Sequence, residues 1–446
     1  MKKLAILLML SFSISIVKAQ EPLDLESAIA IGLEKNLQVK IGVENIGLRE
    51  LDKKIGVGSF FMPVINTNYL RSFSTEDVTQ TFVNDPENPR QIDDAKSRNK
   101  SYSFVGIYGF RPETLVTIKR LGLLAEISEL EAKVIVENTV AGISTAYYRL
   151  ILELQRYQVL KETLRLSKAR LTIAEAQYEL GGAGKRDYLT AQVDYNSDSS
   201  FLITQEQIIQ NSKVNLNELL AIDPNTEFFI QDTTILIGDR LSLETLNENA
   251  FMENKQLLVN QRANNDAFLQ IKELQASRLP LINLNSSYVN SVFNSDAGFL
   301  LQNERQGLNY GGNVSLNLFS GFTLNRRIQS AKVNKRIQDY SLDQIEIQLK
   351  SDIQRSYNIY TKNLQLLKIE EVNYGVAKEN SEIALERFRL GIASYLEFRD
   401  AQVNLLTAEN RLITSIFSIK EQEIELLRLS GKIFFDNSSE DFAINP

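Results

Sequence analysis

The chain has no cysteine, no histidine and no tryptophan, and only 8 prolines and 21 glycines in 446 residues. Without cysteine there is no disulfide framework and no thiol to carry a lipid, so any hold on a membrane must come from the fold itself. The absence of histidine as well removes the commonest metal ligands, the usual nucleophile–base pairs and the side chain that ordinarily titrates near neutral pH. No metal, cofactor or catalytic group is therefore expected, and a hydrolase would lack its convergent acid–base constellation. A formal net charge of -7 gives no electrostatic reason for a nucleic-acid partner. Few prolines leave room for long uninterrupted elements. After the first residues, nothing approaches the roughly 20 apolar residues of a spanning helix, so a membrane crossing would have to be made with strands.

What is present is a sequence written twice. Leu23-Asp24-Leu25-Glu26-Ser27 returns as Leu241-Ser242-Leu243-Glu244-Thr245, and Met62-Pro63-Val64-Ile65-Asn66 returns as Leu279-Pro280-Leu281-Ile282-Asn283. The segment from Tyr178 to Gln192 returns as Phe388 to Gln402, in the same order. A period this long points to duplication of a whole structural unit rather than to a solenoid.

Residues 1–19 read as a secretory signal: Lys2 and Lys3, an apolar stretch from Leu4 to about Val17, then Val17-Lys18-Ala19 as the cleavage site. The first repeat spans 20–222 and the second 241–431, joined by a linker at 223–240 and followed by a polar tail at 432–446. Each repeat reads as helix, two strands, very long helix, sharp turn and returning helix. The first helices start at Asp24 and Ser242, whose side-chain oxygens can cap free N–H groups, and run to about Gly56 and Ala276. Pro63 and Pro280 then mark the change to extended chain.

Strands are expected over about 63–73 and 101–111, and over about 281–293 and 308–319. In the last of these Leu308, Tyr310, Val314, Leu316 and Leu318 alternate with Asn309, Gly311, Asn313, Ser315 and Asn317. Tyr102, Phe104, Tyr108 and Phe110 oppose Ser101, Ser103 and Gly109 in the same way. The lengths suit tilted membrane strands of about ten residues, although an ordinary half-buried sheet has the same alternation. Thr75 to Lys100 and Asn294 to Gln306 are polar and read as solvent-facing loops.

The long helices occupy 113–180 and 323–390 without a proline. At about 1.5 Å per residue each is a rod of roughly 100 Å, which implies coiled-coil packing. Leu342, Ile345, Leu349, Ile353, Tyr357, Tyr360, Leu364 and Leu367 step by three or four along one of them. The returning helices span 185–221 and 395–430; the second keeps a heptad stripe from Leu405 to Leu429 that includes polar and small residues, as a wall wetted on two sides would need. Gly181 and Gly391 sit just past the ends of the long helices, where a left-handed cap makes a hairpin tip. Gly181-Gly182-Ala183-Gly184-Lys185-Arg186 is not a phosphate loop, because the spacing is wrong, Ser/Thr is missing after the lysine, and it follows a helix. In the linker, Phe228-Phe229-Ile230 and Ile235-Leu236-Ile237 suggest a small β-containing segment packed outside the rods.

On the paired Leu-x-Leu-Glu starts, the Pro-led strands, the Asn317-Leu318-Phe319-Ser320-Gly321 exit and the paired tips, the chain resembles the TolC-like outer-membrane efflux proteins over essentially its whole mature length. The tips carry an aromatic, a glycine three on, an acid six further and then Ala-Gln: Tyr178, Gly181, Asp187, Ala191, Gln192 and Phe388, Gly391, Glu397, Ala401, Gln402. The resemblance implies a mostly α fold with membrane β: a homotrimer whose antiparallel coiled coils form an α-barrel and whose four strands per chain close a twelve-stranded outer-membrane β-barrel without exposed edges. It implies an outer-membrane location with a long periplasmic extension in a Gram-negative type envelope. The implied role is passive exit of small molecules or polypeptides, for a tripartite pump or type I secretion system, with a periplasmic adaptor and an inner-membrane transporter of RND, ABC or MFS type as partners.

The resemblance also places Glu397 and Asp400, three apart on one helix face, in an acidic ring at the periplasmic entrance that would attract cations. On the residues alone the pair reads rather as a solvated surface beside Arg399. Two departures bear on the gate. The family's aromatic hydroxyl reaching the acid of the other repeat is matched by Phe388 and Asp187, and phenylalanine has no hydroxyl; a basic position after the second tip glycine is Ala393. Lys185, Arg186 or Tyr395 are the available substitutes. The strand exit Phe110-Arg111-Pro112 also lacks the glycine found at Gly321. The competing classes are a non-conducting periplasmic coiled-coil protein, which needs no amphipathic strands, and an adaptor, which carries one helical hairpin where this chain has two.

Overall fold

The computed structural model describes residues 22–182 and 184–433, so the signal segment and all but the first two residues of the polar tail lie outside the described residues. In chain order the elements are α1 (Leu25–Lys35), α2 (Leu37–Phe61), β1 (Val64–Phe82), β2 (Asp85–Phe110), α3 (Pro112–Glu179), α4 (Lys185–Leu219), α5 (Leu243–Glu253), α6 (Lys255–Ala276), β3 (Leu281–Ser295), β4 (Gln302–Ser315), α7 (Thr323–Arg389) and α8 (Tyr395–Leu429). Contacts divide the chain into two compact units. One gathers the chain up to Ile41, Val134–Asn254 and the part from Gln348 onward; the other gathers Gly42–Lys133 and Lys255–Ile347.

In the first unit the core is a helical cluster around Ile143, Tyr147, Leu150, Ile151, Leu216 and Leu220, with Ala28 from α1 and Phe417 from α8. The segment joining the repeats contributes Phe228 and Ile235 to this core. Its only β pairing among the described residues is an isolated parallel bridge, Pro22 with Phe229, so the linker is largely irregular chain rather than a small β element. Tyr147 is fully buried and donates its hydroxyl hydrogen to Asp232, at 2.6 Å, which ties the linker to α3. Burial and the neighbouring carboxylate push its phenol well above the usual range.

Each expected first helix is in fact two. Asn36 ends α1 and starts α2: its Oδ1 accepts from the backbone of Gln38 at 2.9 Å, while its Nδ2 donates to the carbonyl of Leu219 at 3.0 Å. Asn254 stands between α5 and α6 and donates to the carbonyl of Leu429 at 3.0 Å. In both places an asparagine trades one helical turn for a hydrogen bond to the end of a returning helix. Asp24 caps α1, accepting from Ser27 N at 2.8 Å, whereas the side chain of Ser242 makes no cap bond.

The second unit contains one antiparallel sheet in the order β1-β2-β3-β4. The polar stretch Thr75–Lys100, expected as a loop, is almost all strand, with Glu76 opposite Ala95, Gln80 opposite Arg90 and the turn confined to Val83 and Asn84. A ribbon wetted on both faces needs no apolar alternation, which is why its sequence does not announce it. β2 pairs with β3 only as far as Ser97 opposite Ser295, so Pro86 and Pro89 lie where β2 has a free edge and no second ladder to break. β4 starts at Gln302 and stops at Ser315, earlier at both ends than expected. Below the sheet, the guanidinium of Arg120 on α3 is held by Asp266 at 3.0 Å and Glu273 at 2.5 Å, both on α6.

Candidate functional site

The register sorts the sheet into two chemically different faces, because residues directly opposite one another in an antiparallel pair point to the same side. Thr67, Phe104, Tyr288 and Leu308 form one row across all four strands. The neighbouring rows on that side are Ile65, Gly106, Ser286 and Tyr310, and Tyr69, Tyr102, Asn290 and Gln306. Tyr108 with Leu284, and Phe110 with Ile282 and Val314, complete this side. Large apolar groups stand open here: Ile65 is 73%, Tyr310 82% and Val314 69% exposed. The rings of Tyr69 and Tyr102 lie 4.7 Å apart.

This band ends at a charged row, Arg71, Lys100, Val292 and Glu304. From Phe110 to Tyr102 is about nine residues, or roughly 30 Å along the strand, which at a tilt near 45° gives a band a little over 20 Å tall. That is the height of the apolar belt of a membrane barrel. The opposite side carries Asn66, Asn68, Ser101, Ser103, Asn283, Asn285, Ser287, Asn309 and Asn313, with Val105 and Ile107 among them. Oily on one side, amide-rich on the other, the sheet suits lipid outside and water inside.

In the first unit the two hairpin tips end in the same way. Gly181 and Gly391 adopt φ of 75° and 71°, and the following N–H groups reach back five residues, Gly182 to Gln177 O at 2.7 Å and Ile392 to Arg387 O at 2.8 Å. Only glycine takes this left-handed position without a steric cost, so it sharply ends each long helix. Tyr178 stacks on Tyr188 with ring centroids 5.9 Å apart.

The sequence-matched gate pair is not brought together. Phe388 is buried inside its own hairpin, stacked on Phe398 at 5.5 Å, and Asp187 is exposed in the first turn of α4. The hydroxyl comes instead from Tyr395, the first residue of α8 and across the hairpin turn from Phe388, and it is donated to Asp194, seven positions beyond Asp187 on α4. On α4 a shift of seven keeps the acid on the same helix face two turns away.

Asp194 is the hub of a buried network. It also receives Arg170 of α3 at 3.2 Å and Arg399 of α8 at 3.4 Å. Arg399 further contacts Asp198 at 3.4 Å, and Ser167 donates its hydroxyl hydrogen to the same acid. Arg170 has no exposed side-chain surface; it donates to Gln402 at 2.9 Å and lies over the Tyr395 ring at 4.9 Å. Gln402 in turn donates to the carbonyl of Thr163 at 3.0 Å, beside Ala401, whose small side chain lets the helices close. Burial holds the Arg170 guanidinium below its ordinary value, while burial and the Asp194 contact push the Tyr395 phenol well above the usual range.

Of the expected acidic pair, Glu397 is met by Arg387 of its own hairpin at 2.9 Å, with both side chains nearly half exposed. Asp400 is exposed and makes no ion pair among the described residues. Arg170, Asp194 and Asp198 carry no local signal: they are single charged residues on long helices, and only the packing of α3, α4 and α8 reveals them.

Residues 246–432 match the family model described as outer membrane efflux protein. No curated protein sequence matches the chain. Among solved structures, the outer membrane protein VceC of Vibrio cholerae aligns at 16% identity and a TM-score of 0.75, covering 91% of this chain and 96% of that one. The CmeC outer membrane channel of Campylobacter jejuni aligns at 15% and 0.75, covering 92% and 86%. The open state of the MtrE outer membrane channel of Neisseria gonorrhoeae aligns at 16% and 0.71, covering 92% and 89%. At these identities the likeness establishes the fold.

Proposed function

We propose, for a chain whose residues 246–432 match the outer membrane efflux protein model and whose fold is similar to that of solved outer-membrane channels, that three copies form a passive exit duct across the outer membrane. The observation that carries this reading is the two-faced sheet. Its four strands have free outer edges at β1 and β4, and three sheets edge to edge make a closed twelve-stranded barrel with lipid against Ile65, Phe104 and Tyr310 and water against Asn66, Asn285 and Asn309. The two repeats, with their long helices, extend the duct into the periplasm. A periplasmic adaptor and an energised inner-membrane transporter, of RND, ABC or MFS type, deliver cargo to the hairpin tips.

The tips form the entrance. Asp194, Tyr395, Arg399 and Arg170 bind the hairpin of one repeat to that of the other and hold the resting entrance narrow. Asp400 supplies the exposed acid of the entrance ring, and Glu397 contributes less because Arg387 offsets its charge.

Purified protein reconstituted in planar bilayers tests the reading. Detergent-dependent, heat-modifiable trimers with unitary conductance are expected. A monomer that stays soluble without detergent and conducts nothing contradicts it, and would return the chain to the coiled-coil structural class.

A further inference from the structure

Over the rows shared by all four strands the amide-rich face of the sheet carries one charge. From the row of Leu281 and Ser315 to the row of Phe293 and Asn303, the residues on that side of all four strands are Asn, Ser, Gly or aliphatic, with the single aromatic Phe293, except Arg305 on β4. Arg305 lies opposite Ser291, is exposed, and forms no ion pair among the described residues. The next acid on that face, Glu76, is on β1 at the other edge of the sheet. The remaining charges at this level, Arg71, Lys100 and Glu304, point to the opposite side.

We propose that Arg305 is a specificity-determining residue of the duct, placing a ring of three guanidinium groups at the outer end of an otherwise uncharged lumen and favouring anionic cargo there. The proposal rests on the trimeric barrel proposed above. Twelve strands about 4.8 Å apart and tilted about 40–45° close at a backbone radius of roughly 12–13 Å. An extended arginine brings its charge to about 6–7 Å from the axis, within the Debye length of about 10 Å at 0.1 M salt. Three such charges in water, screened over that distance, enrich a monovalent anion on the axis about fivefold and deplete a cation by the same factor. Carboxylate- or phosphate-bearing solutes are the class this favours. Neutral solutes meet amides, hydroxyls and a few aliphatic side chains but no other charge at these rows.

Reversal potentials of the reconstituted wild-type channel and of Arg305→Gln, Arg305→Lys and Arg305→Glu, each verified as a heat-modifiable trimer, test the proposal in a gradient of potassium chloride centred near 0.1 M. Arg305→Gln is expected to lower the anion-to-cation permeability ratio about 25-fold, the product of the two fivefold effects, Arg305→Glu to lower it further, and Arg305→Lys to leave it within a factor of two. The differences should fade near 1 M salt, where the Debye length is about 3 Å. Conducting Gln and Glu variants with wild-type selectivity overturn the role of Arg305 while leaving the channel intact. A wild-type chain that forms no channel overturns the underlying reading as well.

Discussion

Removal of the Asp194 carboxylate should open the hairpin tips. In Asp194→Ala three donors lose their shared acceptor at once: the Arg170 guanidinium at 3.2 Å, the Arg399 guanidinium at 3.4 Å and the Tyr395 hydroxyl. Arg170 suffers most, because its side chain is fully buried and keeps only the Gln402 oxygen at 2.9 Å as a close polar partner. Stranding a buried charge costs about 3–5 kcal/mol in general; Asp194 retains 20% exposure and Arg399 can turn to Asp198 or to water, so about 3 kcal/mol is expected here. The loss is local to the packing of α3, α4 and α8, and appears as a change in local opening rather than in global unfolding. Amide hydrogen exchange followed by mass spectrometry should show peptides from the first turns of α4 and α8 exchanging about a hundredfold faster, since 1.4 kcal/mol is a factor of ten. The same variant should conduct more in bilayers. Asp187→Ala is the control, since that side chain is exposed, and its exchange should stay within about twofold of wild type. Wild-type exchange in Asp194→Ala, or acceleration in Asp187→Ala equal to it, would refute the reasoning.

Other expectations concern charge, backbone and pH. Asp400→Asn alone should remove most of the cation preference of the entrance and Glu397→Gln much less, whereas Arg387→Gln should increase it, all read from reversal potentials; equal effects at the two acids would mean that the Arg387 contact, which joins half-exposed groups, offsets nothing. Ala221 ends α4 with φ of 52°, where the second repeat uses Gly431 at 71°, so Ala221→Gly should stabilise by about 1 kcal/mol and Gly391→Ala destabilise by a similar amount in urea titration of detergent-solubilised trimers. The folded phenol of Tyr395 binds its proton more tightly than the unfolded one, whose pKa is about 10. Its contribution is therefore complete below about pH 10 and is lost as pH rises toward the folded value, so Tyr395→Phe should flatten the alkaline limb of the stability curve; an unchanged slope would detach Tyr395 from the network.

Local signals made part of this architecture readable. The alternation of Leu308, Tyr310 and Val314 with Asn309, Gly311 and Asn313 is a property of neighbouring residues, and so is a glycine such as Gly391 ending a long apolar periodicity. The ribbon through Thr75–Lys100 was not readable, because strands bathed on both sides carry no apolar face and are held mainly by backbone pairing, with a few polar contacts such as Ser74 to Ser97. The breaks at Asn36 and Asn254 were missed for another reason. Asparagine is only mildly unfavourable within a helix, and its decisive bonds go to Leu219 and Leu429, about 180 residues away in the first case (183) and 175 in the second. The tip network was invisible for the same reason in stronger form. Arg170 is one of 49 basic residues, and nothing near it in sequence says that Asp194, Tyr395 and Gln402 close over it. Hydroxyl-to-acid contact between repeats could be anticipated as a need; only the structure shows the acid two turns further along α4 and the hydroxyl on the other side of the hairpin turn, at the start of α8.

The central claim is that one face of the sheet meets lipid and the other meets water. Because the chain has no native cysteine, single cysteines placed at successive positions from Leu308 to Val314 on β4 can each carry an environment-sensitive fluorophore, and the reconstituted protein can be probed with lipid-borne and water-borne quenchers. The account predicts a strict alternation, with labels at Leu308, Tyr310 and Val314 quenched from the lipid and those at Asn309, Gly311 and Asn313 quenched from water. Uniform quenching from water along the whole strand would contradict it.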